Sequence, residues 1–195
     1  MNSYLKMIVF VVLLGLLTSG VFVGMEIWTG PLIEANAANE IKSTILDANG
    51  YSYTTATIND IFDQNITAET VDGLTLYFDN SSGRVSYEFS GGGVWGPIIG
   101  IITLESDYVT IKEVKVLQQE ETPGLGGVVA SANYLAQFPG IKFSPKIEIN
   151  IPDGQPNKAN EVDSISGATR TSRAFETILN NAYEVASELI DRGGN

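Results

Sequence analysis

The segment Asp163-Ser164-Ile165-Ser166-Gly167-Ala168-Thr169-Arg170-Thr171-Ser172 crowds hydroxyls, small residues and a cation just ahead of the most regular amphipathic stretch in the chain. A helix that begins there exposes N–H groups with no intrahelical partner, at the positive end of its dipole. The chemistry suited to such a place is the holding of a phosphate. Gly167 and Ala168 would let a ligand reach the backbone, Ser166, Thr169, Thr171 and Ser172 offer donors, and Arg170 and Arg173 can offset anionic charge. Ordinary N-capping accounts for the same residue types, since Ser and Thr are preferred there in any helix.

Two further loops have the composition of a ligand site. Glu120-Glu121-Thr122-Pro123-Gly124-Leu125-Gly126-Gly127 places Pro then Gly at positions that fit a type II turn, and it holds Leu125 alone between glycines. An apolar side chain on such a loop gains nothing unless it packs on something, such as a flat ring. Ser90-Gly91-Gly92-Gly93-Val94-Trp95-Gly96-Pro97 delivers one tryptophan from a glycine run. Trp95 would be either a stacking platform or a core aromatic beside a bend.

Composition narrows the chemistry. The 195 residues include no Cys and no His, which removes thiolate nucleophiles, disulfides, iron–sulfur ligation, the usual zinc sites and any His-dependent triad. Redox work, if any, must be carried by an organic cofactor. The formal charge of −12 repels phosphate backbones, so no nucleic-acid partner is expected.

The elements that position these loops follow from hydropathy and spacing. Met7 to Met25 is uncharged throughout and as a helix spans roughly 28 Å, enough to cross a bilayer. Its apolar run exceeds the usual reach of a cleaved signal peptide, although Ala35-Asn36-Ala37 offers a small-residue cleavage pattern. Lys6 before the span, by the positive-inside bias, is expected to put the N-terminus in the cytoplasm and the rest outside, with Trp28 at the far interface. Residues 1–29 are therefore expected to form a transmembrane anchor and residues 30–195 an extracytoplasmic domain.

Gly30-Pro31 should break the membrane helix, with an amphipathic helix resuming over Leu32 to Ala48. Leu74 to Phe78 and Arg84 to Phe89 read as a hairpin around Asp79 to Gly83. Ile98 to Leu104 and Val109 to Leu117 read as a second strand pair. Val128 to Phe138 suggests a short helix, Lys146 to Ile151 a strand and Gly154 to Asn160 an exposed turn region. Phe175, Ile178, Leu179, Ala182, Val185, Ala186, Leu189 and Ile190 recur at helical spacing. Strands in the middle and helices at the ends predict an α+β domain, a mainly antiparallel sheet covered by helices on one side.

The chain also resembles a known family. Ser166-Gly167-Ala168-Thr169 with Asp163 ahead of it and Thr171-Ser172 behind, together with Glu121-Thr122-Pro123-Gly124-Leu125-Gly126 and Gly93-Val94-Trp95-Gly96-Pro97, resembles the FMN-binding subunits of the Rnf and Nqr membrane complexes, RnfG and NqrC. The resemblance runs from the N-terminal span through the last helix. It implies FMN joined covalently, as a phosphoester, to the hydroxyl of Thr169. It further implies that Asp163 is read by a flavin transferase of the ApbE type, that Glu121, Thr122, Leu125, Gly126 and Trp95 line the isoalloxazine, and that Ser166 to Ser172 cradle the phosphate.

The implied role is that of an electron relay in an ion-translocating oxidoreductase of the prokaryotic cytoplasmic membrane, with other Rnf- or Nqr-type membrane subunits as partners. No catalytic residue and no metal site is expected in this chain. The short outer domain favours the Rnf, ferredoxin:NAD type, whereas the glycine loop with Trp95 and Pro97 leans toward NqrC, one of the subunits of Na+-translocating NADH:quinone reductase. Without the resemblance, the residues fit a membrane-tethered domain that holds a phosphate-bearing ligand reversibly or senses it.

Overall fold

The computed structural model describes residues 2–193 and divides the chain into two compact units, Met1–Glu40 and Ile41–Asn195. The first unit is helical. It belongs to helix α1, Ser3–Ala48, whose apolar stretch has a mean hydropathy of 2.5 and no buried residues, making it long and apolar enough to cross a membrane. Within the apolar stretch the hydroxyl of Thr18 donates back to the carbonyl of Leu14 (3.0 Å), which is how a hydroxyl avoids being left unpaired in hydrocarbon. The expected break at Gly30-Pro31 does not occur, because Pro31 lies inside α1. One proline removes a single backbone donor, and the turns on either side carry the helix through.

The second unit is built on a five-stranded antiparallel sheet, β1 Ile66–Val71, β2 Leu74–Asp79, β3 Val85–Gly92, β4 Pro97–Leu104 and β5 Ile111–Gln118, with neighbours in chain order. Both expected hairpins are present, joined into one meander by the pairing of β3 with β4. Alternation along each strand sends side chains to opposite faces. Leu76, Tyr87, Phe89, Ile98, Ile102, Val114 and Val116 face the larger core, closed by helix α4, Thr169–Gly193. Ile101, Tyr77 and Leu117 face a smaller core formed with Ile45 and Leu46 of α1 and Ile58 and Phe62 of helix α2, Ile58–Asn65. Helices therefore cover both faces, and the expectation of one-sided cover is corrected.

The stretch expected as one helix from Val128 is two pieces, a 3₁₀ turn Gly126–Ala130 and the helical turn α3, Ala132–Leu135. Ser131 divides them in an extended conformation, its side chain accepting from Tyr134 N. A parallel pair, β6 Glu148–Asn150 and β7 Glu161–Asp163, delivers the chain to the loop before α4. At the start of α4, Phe175 is fully buried and packs edge-on against Phe89 (5.8 Å between centroids) and Phe138 (5.7 Å). That contact sets where the first turn of α4 lies relative to β3.

Candidate functional site

The three loops singled out by composition meet. Val94, Trp95, Glu121, Thr122, Leu125, Gly126, Gly167, Ala168, Thr169, Arg170 and Thr171 line one open cleft of about 400 Å³. Each loop has a local reason for its shape. In the second, Leu125 N donates to Thr122 O (3.1 Å) across Pro123-Gly124, and Gly124 has φ +74°. That is the left-handed third position of a type II turn, which glycine occupies without strain. In the glycine loop, Gly93 N donates to Gly96 O (2.8 Å), so the chain closes on itself and presents Trp95 at the rim. In the third, Gly167 has φ +76° and Ala168 N donates to Ile165 O (3.0 Å), turning the chain into α4.

The capping alternative is answered by geometry. Ser172 N donates to Ala168 O (3.0 Å) as the first turn of α4 closes, so Ala168 stands at the cap position. Alanine has no side-chain oxygen to satisfy the first-turn N–H groups. Thr169 follows it with an exposed side chain, and both line the cleft. A phosphate at this point would meet N–H donors, the positive helix end and Arg170.

The walls suit an aromatic ring. Trp95 is 73% exposed and Leu125 46% exposed, and both border the cleft. Trp95 is thus exposed at the rim of the cleft and not the core aromatic that the sequence left open.

Glu121 ties the loops together. It is only 4% exposed. One carboxylate oxygen accepts from Val94 N (2.6 Å) and Trp95 N (3.0 Å), and the other from the Thr171 hydroxyl (2.7 Å). Its own N–H donates to Gln119 Oε1 (2.7 Å). Burial pushes the Glu121 carboxyl up, but the hydrogen bonds from Trp95, Thr171 and Val94 together outweigh it and hold the group below the ordinary glutamate range. A carboxyl depressed in the folded state stabilises it above the unfolded pKa, and that stability is lost as pH falls through the folded value. Acid titration of the purified chain should therefore lower its stability through and below the ordinary glutamate range. Glu121→Gln should flatten part of that slope, as followed by denaturant unfolding at several pH values.

Not every expected residue lines the cleft. Ser172 is fully buried, its Oγ accepting from Ile165 N (3.0 Å) and donating to Ala168 O (3.1 Å), so it braces the loop from inside. Ser166 is exposed in the turn and lies outside the lining. Asp163 ends β7, with Oδ1 accepting from Asn157 Nδ2 (3.2 Å) and its N–H donating to Gln137 (3.2 Å). Arg173 opens onto a neighbouring depression with Ser164, Glu176 and Thr177, and Thr169 belongs to both hollows. Two participants were not singled out as site residues from the sequence. Val94 was legible as the neighbour of Trp95, but nothing in the sequence marks Gln119.

Comparison with known proteins points to one family. Residues 93–184, which contain the second and third loops whole and the glycine loop from Gly93 onward, match the FMN-binding domain family. The chain is similar to the NqrC protein of the Na(+)-translocating NADH-quinone reductase of Pasteurella multocida, 32% identical over 112 residues, covering 54% of this chain and 42% of that protein. The counterpart from Vibrio anguillarum is 35% identical over 99 residues, 48% of this chain and 38% of that protein. The matches span less than half the length of these curated relatives. In fold, the chain is similar to the crystal structure of Shewanella oneidensis NqrC, with a TM-score of 0.66 at 20% identity over 76% of this chain and 93% of that one. The crystal structure of the counterpart from Parabacteroides distasonis gives 0.63 at 23% identity, over 77% and 90%.

Proposed function

We propose that this chain is a member of the RnfG/NqrC family and serves as a membrane-tethered FMN-binding electron relay, of the NqrC type, in an ion-translocating NADH:quinone reductase. The observation that carries this reading is the convergence of Thr169, the apolar rims Trp95 and Leu125, and Arg170 on one cleft. The relatives found are subunits of the Nqr type, so the Rnf preference drawn from the short outer domain gives way to the alternative that the glycine loop suggested.

In this reading the phosphate of FMN is esterified to Thr169 Oγ1, and the N–H groups of the first turn of α4, with Arg170, stabilise its remaining negative charge. Each such helix-end contact is worth roughly 0.3 to 1 kcal/mol. Trp95 and Leu125 hold the ring. FMN supplies the electron chemistry, since flavin takes and gives electrons singly or in pairs. A covalent tether suits a shallow site facing an external volume, where a dissociable cofactor is lost by mass action. Thr169 is an attachment point only, and a flavin transferase of the ApbE type, reading Asp163, installs the group. Residues 1–29 anchor the chain with its N-terminus in the cytoplasm, and residues 30–195 work outside among other membrane subunits.

The Glu121 carboxylate beside the ring opposes added negative charge on reduction. Glu121→Gln should therefore raise the flavin reduction potential, by an amount on the order of tens of millivolts, where about 30 mV is a tenfold change for a two-electron couple. Spectroelectrochemical titration checks this, and a fall or no change contradicts it. The flavin reading itself is tested by denaturing gel electrophoresis of protein from its native membrane. Fluorescence should stay with the band, whereas a reversibly held ligand would be lost.

A further inference from the structure

We infer that Glu121, beyond the effect of its charge beside the ring, is a positioning residue, a staple that sets the flavin site through the loops it holds. Its carboxylate fastens the ring platform at Val94-Trp95 to Thr171 in the first turn of α4, and so keeps the ring and the phosphate anchor in register. Three observations converge on this. The carboxylate is almost fully buried, and its hydrogen-bond partners come from two other elements, two from the glycine loop and one from α4. Glycine leaves room for it on both sides: a Cβ on Gly93 would lie 2.5 Å from Glu121 Oε1, and one on Gly126 would lie 2.6 Å from both Glu121 Oε2 and Thr171 Oγ1. The loop that carries Glu121 is itself fixed by the Gln119 side chain and the turn at Gly124. A buried carboxylate satisfied by neutral donors forms strong charge-assisted bonds, which suits a fastening between separate loops. Its removal leaves Val94 and Trp95 N–H groups without an acceptor.

The inference rests on the flavin reading of the cleft, and its test separates the two. The full-length chain is prepared in detergent with Trp28→Phe, which leaves Trp95 as the sole tryptophan. It is made in a host without a flavin transferase, so no flavin is needed for the readout. Time-resolved fluorescence anisotropy then reports local motion of Trp95 on the nanosecond scale. Glu121→Ala should about double the amplitude of the fast local component, whereas exposed loops that are already loose would show no change.

Glu121→Gln should bring the amplitude most of the way back to the parent value, because its amide oxygen still accepts from Val94 and Trp95 and its amide nitrogen can donate to Thr171 Oγ1, through weaker, uncharged bonds. If Glu121→Ala does not fold, Thr171→Val, which cuts only the α4 arm, should raise the amplitude in its place. Trp95 held equally firmly in Glu121→Ala, or in Thr171→Val where that is the folded variant, overturns the inference, as does a Gln variant as loose as the Ala variant. Chain from the native membrane that carries no flavin, but whose Trp95 loosens as described, overturns the flavin reading and leaves the staple standing.

Discussion

In cells that express an ApbE-type flavin transferase, Thr169→Ala should yield a chain with no flavin fluorescence on a denaturing gel, against a fluorescent band for the parent. The loss should be complete, because a phosphoester needs an oxygen at that position and alanine has none. Thr171 does not substitute: its hydroxyl is buried and donates to Glu121. Ser172 is buried within the loop and already bonded on both sides. Ser166 has an exposed side chain but lies outside the cleft lining. The unfolding free energy of Thr169→Ala should stay within about 0.5 kcal/mol of the unloaded parent, the usual range for an exposed substitution outside the core. A fluorescent Thr169→Ala band would contradict the assignment.

Phe175→Ala should cost about 3 to 5 kcal/mol, the usual penalty for emptying a buried phenylalanine site. Phe175 has no exposed surface, and its edge-on contacts with Phe89 and Phe138 would be lost with it, each such pair adding about 0.5 to 1.5 kcal/mol beyond area. Against a typical total stability of about 5 to 15 kcal/mol, this is a large share. The effect reaches the site because Phe175 lies less than two turns after Thr169 in α4. Loosening it lets the first turn drift from the sheet that holds Trp95. Urea unfolding of the unloaded chain measures the loss, and a cost below about 1 kcal/mol would mean that the start of α4 is held by other contacts.

Elements with strong local signals were legible in the sequence. The hairpins around Asp79 to Gly83 and Glu105 to Asp107, the last helix and the apolar span all rest on periodicity or turn residues. The type II turn at Pro123-Gly124 was legible for the same reason. The misses are tertiary in origin. In β1 the residues from Thr67 to Thr70 are exposed, so it presents no apolar alternation to read, and its pairing with β2 supplies the structure. β7 has three residues and exists only beside β6. Pro31 reads as a breaker because local propensity is all a sequence shows.

At the site, residue types and spacing identified the loops but not their joinery. Glu121 looked like a wall of the ring site, and the sequence alone does not show that its carboxylate reaches the glycine loop and α4 at once. Ser172 looked like a phosphate donor because it sits in a run of hydroxyls. Helical geometry turns it inward, where it braces Ile165 and Ala168. Gln119 carried no signal, since its role comes entirely from proximity to the backbone of Glu121.

The central claim is an ester bond at one oxygen, and peptide mapping by mass spectrometry of protein taken from its native membrane tests it most directly. The account predicts that the peptide containing Ser166 to Arg170 carries the mass of FMN less one water, with fragment ions placing it on Thr169. An unmodified Thr169 peptide, or the same mass on Ser166, Thr171 or any other residue, would contradict it.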